Sequence, residues 1–446
     1  MEKNNKKIIN AWCTYDWANS VYSLVITSTI FPIYYNAVTS TPATDDKDYV
    51  NFFGFEIVNT VLYSYSLSFS FLIIALISPL LSGIADYSHR KKDFLKFFAW
   101  MGAIACMGLY FFDKETLEFG IFCMILGSMG YAGSLIFYDA YLPEIATPDK
   151  YDIVSAKGYS MGYIGGVILM VINLVMIQMP TFFGFPENST EPVKLSFLMV
   201  GVWWIVFSIL SFRNLPSGVS AKDREENILK KGYLEIIKVL KSLKGLSILK
   251  LFLISFFFYN MGVQTVMYLA ATFGEKELHL PAGQLMATIL IIQLVGILGS
   301  YTFAFLSKKK GNKFSLLIML LIWIAVCIGA YFILNAQHFF FLAFIVGLVM
   351  GGIQSLSRAT YSKLIPENTI DTASYFSFYN VTFYLSVVCG TFAYGLIEQI
   401  TGSMRNSTFV LAVFFAIGLG FLLLVKIPLH KGYKKKVALG ALEVIE

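Results

Sequence analysis

Residues 314–334 read FSLLIMLLIWIAVCIGAYFIL and contain no charged side chain. A hydrocarbon core about 30 Å thick needs about 20 apolar residues per helical span, so this stretch is predicted to cross a membrane. About twelve such runs fill the chain between Tyr15 and Val425, among them 58–84, 121–137, 195–212, 285–306 and 409–425. A water-soluble protein could not bury so many, and we therefore predict an all-α membrane protein with twelve transmembrane helices.

The composition agrees with a bilayer environment. Apolar residues make up 57% of the chain and charged residues 14%, against roughly 45–50% and 25% in soluble domains. The net charge of +6 is spread over many short loops, so no nucleic-acid partner is expected. The predicted partners are the lipid bilayer and a small-molecule substrate.

The distribution of basic residues predicts the topology. If the N-terminus lies inside and the spans alternate, only Lys47, Lys114, Lys194, Lys276 and Arg405 lie outside, and the other 29 of the 34 Lys and Arg residues lie inside. Positive charge collects in cytoplasmic loops. We therefore predict a multi-pass protein with both termini in the cytoplasm, in the inner membrane if the source is a bacterium.

Enzymatic signatures are missing from the sequence. It has no GxxxxGK[ST] phosphate-binding loop, no Ser-His-Asp arrangement, and four histidines far apart in loops or near helix ends. The five cysteines lie in or beside apolar runs without a CxxC pair, as small buried hydrophobic residues do. We predict no enzyme activity, no cofactor and no metal site.

A polar stretch divides the chain into two six-helix halves. The predicted units are residues 1–215, a cytoplasmic linker at 216–246, and residues 247–446 with a basic tail. Leu142-Pro143-Glu144 and Ile365-Pro366-Glu367 follow the fourth and tenth spans at an offset of 223 residues, which indicates a duplication. Two such halves around a central cavity are typical of transporters.

Apolar residues recur at helical spacing in the linker, which predicts an amphipathic helix on the cytoplasmic membrane surface. Its apolar positions are Ile228, Leu229, Tyr233, Ile236, Ile237 and Leu240. Its basic positions, expected to face lipid headgroups, are Lys230, Lys231, Lys238 and Lys241.

The loop after the second span reads PLLSGIADYSHRKK (79–92) and resembles the glycine–aspartate–basic signature of the major facilitator superfamily. Ser82 and His89 stand where that signature usually has glycine. Asp86 is expected to accept hydrogen bonds from the N-terminus of a neighbouring helix, where the dipole is positive, and to pair with Arg90.

Within that superfamily the chain is similar to the vacuole effluxer-like family, which includes the autophagy-related amino acid permease. The matching segments are YDWANS (15–20), LPEIA (142–146), SMGYIGG (160–166), GVQT (262–265) and GGIQSLSR (351–358). Members commonly carry Asp directly before Gly262, where this chain has Met261.

The resemblance implies the major facilitator fold and a monomeric secondary transporter that works by alternating access. Its implied substrate is a small polar organic solute, amino acids first, and its implied direction is efflux. The sequence leaves open a non-transporting receptor or scaffold on the same fold, and it does not distinguish a proton, a sodium ion or no coupling ion.

Polar side chains inside the spans are the candidate substrate-binding residues, because buried polar groups in lipid need a partner or water. Spans one, four, seven and ten line the cavity in the resembled fold. The candidates on these spans are Asn19, Tyr22, Tyr131, Tyr259, Asn260, Gln264 and Gln354. Hydrogen bonding between helices, worth roughly 0.6 kcal/mol, is the alternative explanation. For Asn19, Gln264 and Gln354 we predict approach to one central cavity.

Charged residues near the cytoplasmic ends are the candidate gating residues. They are Asp16, Asp86, Arg90, Asp139, Glu144, Arg358 and Lys363. Acids follow or end the fourth span and bases the tenth, which predicts ion pairs between the halves. As exposed pairs they are expected to contribute roughly 0–1 kcal/mol each.

Overall fold

The computed structural model describes residues 3–40, 48–217, 228–366, 369–401 and 404–426. Within these residues twelve helical segments are long and apolar enough to cross a membrane, which confirms the predicted number of spans. The helices are α1 Lys6–Val21, α2 Ile30–Thr39, α3 Asn59–Ser88, α4 Lys91–Gly108, α5 Leu117–Asp139, α6 Leu142–Ile145, α7 Tyr151–Gln178, α8 Glu191–Asn214, α9 Ile228–Gly245, α10 Ser247–Leu278, α11 Ala282–Lys310, α12 Asn312–Tyr331, α13 Ala336–Leu364, α14 Thr372–Thr401 and α15 Met404–Leu424.

The first span is interrupted, which the sequence did not predict. A π-helical segment, Tyr22–Thr27, separates α1 from α2. Nearby hydroxyl groups satisfy carbonyls of this irregular backbone: Ser28 donates to the carbonyl of Ser23 at 2.8 Å, and Thr29 to that of Leu24 at 2.5 Å. π-helical turns are rare and are frequent at functional sites.

A two-stranded antiparallel hairpin, β1 Tyr49–Phe52 and β2 Phe55–Val58, joins the first and second spans. It is the one strand pair in the described residues and lies outside the spans, so the all-α fold class holds for the bundle.

Two groups of six spans lie on either side of the linker, and we call them the N-half and the C-half. The halves meet where α3 and α5 contact α14, and where α7 contacts α11 and α13. The start of α1, the α3–α4 loop and the α13–α14 loop lie at one end of the bundle, which we call the predicted cytoplasmic end.

The linker helix α9 exists, but part of its predicted surface packs against the protein instead of lipid headgroups. Ile236 and Val239 are buried, and a methyl group on Gly83 would lie 2.4 Å from the carbonyl oxygen of Gly232, so α9 and α3 approach closely. Lys238 pairs with Asp371, just before α14, at 2.8 Å, and this hydrogen bond raises the pKa of Lys238. The helix therefore contacts both halves.

The predicted topology can be tested by cysteine labelling. Positions 150 and 309 are exposed at the predicted cytoplasmic end, whereas 188 and 276 are exposed at the other. A membrane-impermeant maleimide is expected to label positions 188 and 276 in intact cells, and 150 and 309 only after lysis. Labelling of position 150 in intact cells would contradict the orientation.

Candidate functional site

A cavity of about 150 Å³ lies between the two halves. Its wall is built by residues of α1, the π segment, α3, α5 and α7 on one side and of α10, α11, α13 and α14 on the other. A cavity of this size in another protein holds benzene, so the space suits a small organic molecule.

Four of the seven predicted substrate-binding residues line this cavity: Tyr22, Tyr131, Gln264 and Gln354. Tyr22 and Tyr131 stack with ring centroids 5.1 Å apart. Gln354 accepts a hydrogen bond from the hydroxyl of Tyr163 across the interface between the halves at 2.8 Å. Two of the three residues predicted to meet at one cavity, Gln264 and Gln354, do so.

Asn19, Tyr259 and Asn260 are not among the residues that line the cavity. Asn260 donates to the hydroxyl of Ser386 at 2.6 Å, and Tyr259 and Ser357 share a hydrogen bond of 2.7 Å. These contacts join helices of the C-half, so the alternative explanation, hydrogen bonding between helices, holds for these two residues. Asn19 is buried at 1% exposure.

Several cavity residues were missed by the sequence analysis, which considered only four spans. They are Tyr159 and Tyr163 of α7, Tyr268 of α10, Gln293 of α11, and Tyr379, Asn380 and Tyr384 of α14. Polar and aromatic residues within otherwise apolar spans were the available signal. It did not separate these residues from packed tyrosines, because the rotation of each helix is set by its neighbours.

Arg358 lies at the predicted cytoplasmic end of the cavity and joins the halves. Its guanidinium contacts Asp139 at 3.1 Å and Asp16 at 3.4 Å, and both carboxylates belong to the N-half. It also donates to the side-chain oxygen of Ser155 at 3.0 Å and to the carbonyl of Ser155 at 3.1 Å. The Arg358 side chain is 2% exposed, so these pairs are buried rather than exposed as predicted.

Aromatic rings enclose the same cluster. The Arg358 guanidinium lies 4.3 Å from the ring centre of Tyr159 and 4.7 Å from that of Trp12, within the range of cation–π attraction. Tyr138 donates a hydrogen bond to Asp16 at 2.6 Å. Asp16, Asp139 and Arg358, all predicted gating residues, therefore form one desolvated cluster between the halves.

The predicted partner of Lys363 was wrong. Lys363 pairs with Asp152 of α7 at 2.7 Å, and Asp152 also accepts from the side chains of Ser307 and Asn312. Glu144 pairs instead with Lys91 of its own half, and both contact Thr372 at the start of α14. The charges do connect the halves, but through different partners, because the lateral position of each helix end selects the nearest counter-charge.

Asp86 accepts two backbone hydrogen bonds at the N-terminus of α14, from Ala373 at 3.2 Å and Ser374 at 2.7 Å. This confirms the predicted contact with a helix N-terminus. The predicted pair with Arg90 is wrong, because Arg90 pairs with Asp93 at 2.8 Å on the surface. Asp86 therefore ties the end of α3 to the opposite half.

These contacts close the predicted cytoplasmic end in this conformation. Within the described residues, no group of three or more His, Cys, Asp or Glu side chains could hold a metal ion. The site therefore offers aromatic rings, amides, hydroxyls and one charged cluster.

The twelve-helix bundle with a cavity between its halves defines a transporter of the major facilitator class. Solved structures with this fold include FucP in the outward conformation, at a TM-score of 0.66 and 12% identity, covering 94% of this chain and 98% of that one. The proton:xylose symporter XylE has a TM-score of 0.67 at 15% identity, with 96% of each chain covered.

The chain belongs to the vacuole effluxer Atg22-like family, whose sequence profile matches residues 4–436. An uncharacterized MFS-type transporter of Bacillus subtilis, YxiO, is 29% identical over 94% of this chain and 95% of its own. Autophagy-related protein 22 of Saccharomyces cerevisiae (strain S288c) is 22% identical over 91% and 89%. The resemblance stated from the motifs is thereby confirmed.

Proposed function

We propose that this protein exports a small polar organic solute, amino acids first, across the membrane by alternating access. The observation that carries the proposal is the cavity between the halves, lined by amides, hydroxyls and tyrosines and bounded at one end by the Arg358 cluster. The family description of its relatives as vacuole effluxers supports the direction.

The geometry suggests how the cycle works. In the conformation described, Arg358 and Lys363 of the C-half hold Asp16, Asp139 and Asp152 of the N-half. Opening toward the predicted cytoplasm requires these pairs to separate and their charges to become hydrated. Substrate held by both halves would replace part of the lost contact, which is the differential binding that a ligand-driven transition needs.

Gln264 and Gln354 are proposed to hydrogen-bond the solute, because both line the cavity and lie in opposite walls from the tyrosine pair Tyr22 and Tyr131. Tyr22 and Tyr131 are proposed to pack against its apolar part. The transporter is proposed to act without enzymatic chemistry, cofactor or metal.

Binding and transport test this proposal. Purified protein is screened by thermal shift with amino acids, peptides, sugars and nucleosides, and ligands that stabilise it are tested for flux in proteoliposomes. Binding with flux supports a transporter; binding without flux in either orientation would favour the alternative, a receptor or scaffold on a transporter fold.

Alanine replacement of Gln264 or Gln354 is expected to weaken solute binding about three- to tenfold, since a net hydrogen bond is worth about 0.5–1.5 kcal/mol. Isothermal titration with the best ligand measures the change. Gln284→Ala is the matched control, because Gln284 also lies on a transmembrane helix, α11, but not on the cavity wall. Equal losses in expression and binding for all three variants would indicate a packing role.

A further inference from the structure

The charges on the cavity wall do not balance. Of the described residues that line the cavity, three are charged: Asp16, Asp139 and Arg358. With all three ionised the wall carries one net negative charge. An uncompensated charge in a buried site is costly, so the closed cavity favours contents that bring one positive charge.

Arg358 has little capacity left for an anionic ligand. Four of its five N–H groups are engaged, by Asp16, Asp139 and twice by Ser155. The rings of Trp12 and Tyr159 lie against the guanidinium. A substrate carboxylate could therefore not form the usual two-bond pair with this arginine while the cytoplasmic end is closed.

The rest of the wall suits an ammonium group. Aromatic rings line it from both halves, including Tyr22 stacked on Tyr131 and Phe71 stacked on Tyr384 at 5.2 Å. Aromatic faces attract desolvated cations. Within the described part of the chain, the side-chain oxygen of Gln293, another wall residue, has no hydrogen-bond partner and can accept from an N–H donor.

We propose that the cavity selects amino compounds with a net charge of +1, such as diamino acids and primary amines, over neutral zwitterions of the same size. This inference rests on the proposed transport function and narrows its substrate class. The positive charge of the solute neutralises the cavity when the halves close around it, whereas a zwitterion leaves the negative charge uncompensated.

The test compares ligands that share a carbon skeleton but differ in charge. L-Leucinamide and L-leucine are titrated into the purified full-length protein at about pH 6.5, where the α-amino group stays protonated. L-Lysine and L-glutamine form a second pair. The cationic member of each pair is expected to bind at least about tenfold more tightly, since nearby charges interact by more than 1.4 kcal/mol at low dielectric. Equal affinity, or preference for the zwitterions, overturns the proposal.

Charge removal at the wall supplies an independent arm. Asp139→Asn makes the wall neutral and is expected to reduce the preference for L-leucinamide about tenfold or more, whereas Asp139→Glu keeps the charge and the preference. Asp16→Asn is the second variant if Asp139→Asn does not fold. An unchanged preference in the neutralised variant overturns the proposal.

Flux measurements separate this failure from that of the proposed function. Zwitterions that are bound and transported in proteoliposomes while cations are not would reject the charge selectivity and retain the transporter. Binding and flux of neither class by folded protein would count against both.

Discussion

Replacement of Arg358 by Gln is expected to open the predicted cytoplasmic end and to abolish transport. The change leaves Asp16 and Asp139 buried at 5% and 6% exposure without their counter-charge. Removing one partner of a buried pair costs about 3–5 kcal/mol, which corresponds to about a hundred- to thousandfold change in the balance between closed and open states. The pairs were predicted as exposed, with an effect of only several-fold; their burial is what enlarges it.

Spin labels at positions 150 and 309, exposed on the two halves at this end, measure the opening. The distance between them is expected to lengthen in Arg358→Gln. Asp139→Asn should lengthen it less, because Arg358 keeps Asp16 as a partner. Lys310→Gln, which removes an exposed positive charge, is the control. An unchanged distance in Arg358→Gln, with transport lost, would assign Arg358 to substrate contact instead of the gate.

Replacement of Gly351 by Ala is expected to disrupt the contact between α11 and α13. A methyl group at position 351 would lie 2.0 Å from the carbonyl oxygen of Gly296 on α11. Backbone cannot rotate away as a side chain can, so the two helices must move apart. Overpacking of this kind costs about 1–3 kcal/mol.

The displacement also reaches the gate. Position 351 is seven residues from Arg358 on α13, which is about 10 Å along the helix axis. We therefore expect Gly351→Ala to lower the thermal unfolding midpoint and to reduce flux, both measured in detergent and in liposomes. Gly420→Ala is the matched control, since a methyl group there meets no atom within 4 Å. Equal midpoints for the two variants would show that the helices adjust without cost.

Half of the candidate site was predictable because transmembrane helices expose their polar residues selectively. Gln264 and Gln354 line the cavity as predicted, but Asn260, one helical turn from Gln264, bonds to Ser386. One turn of helix keeps two residues on nearly the same face. Which of them reaches the cavity therefore depends on the neighbouring helix, and no property of the single span contains that information.

The twelve spans and the division into halves followed from the sequence itself, because a bilayer demands about 20 apolar residues per helix and internal backbone hydrogen bonding. These are constraints along one dimension and can be read in order. The partners of Lys363, Glu144 and Arg90, the docking of α9, and the charge imbalance on the cavity wall were decided only by the tertiary structure. Each depends on which distant residues lie side by side when the helices pack, and that lateral arrangement has no local signature in the chain.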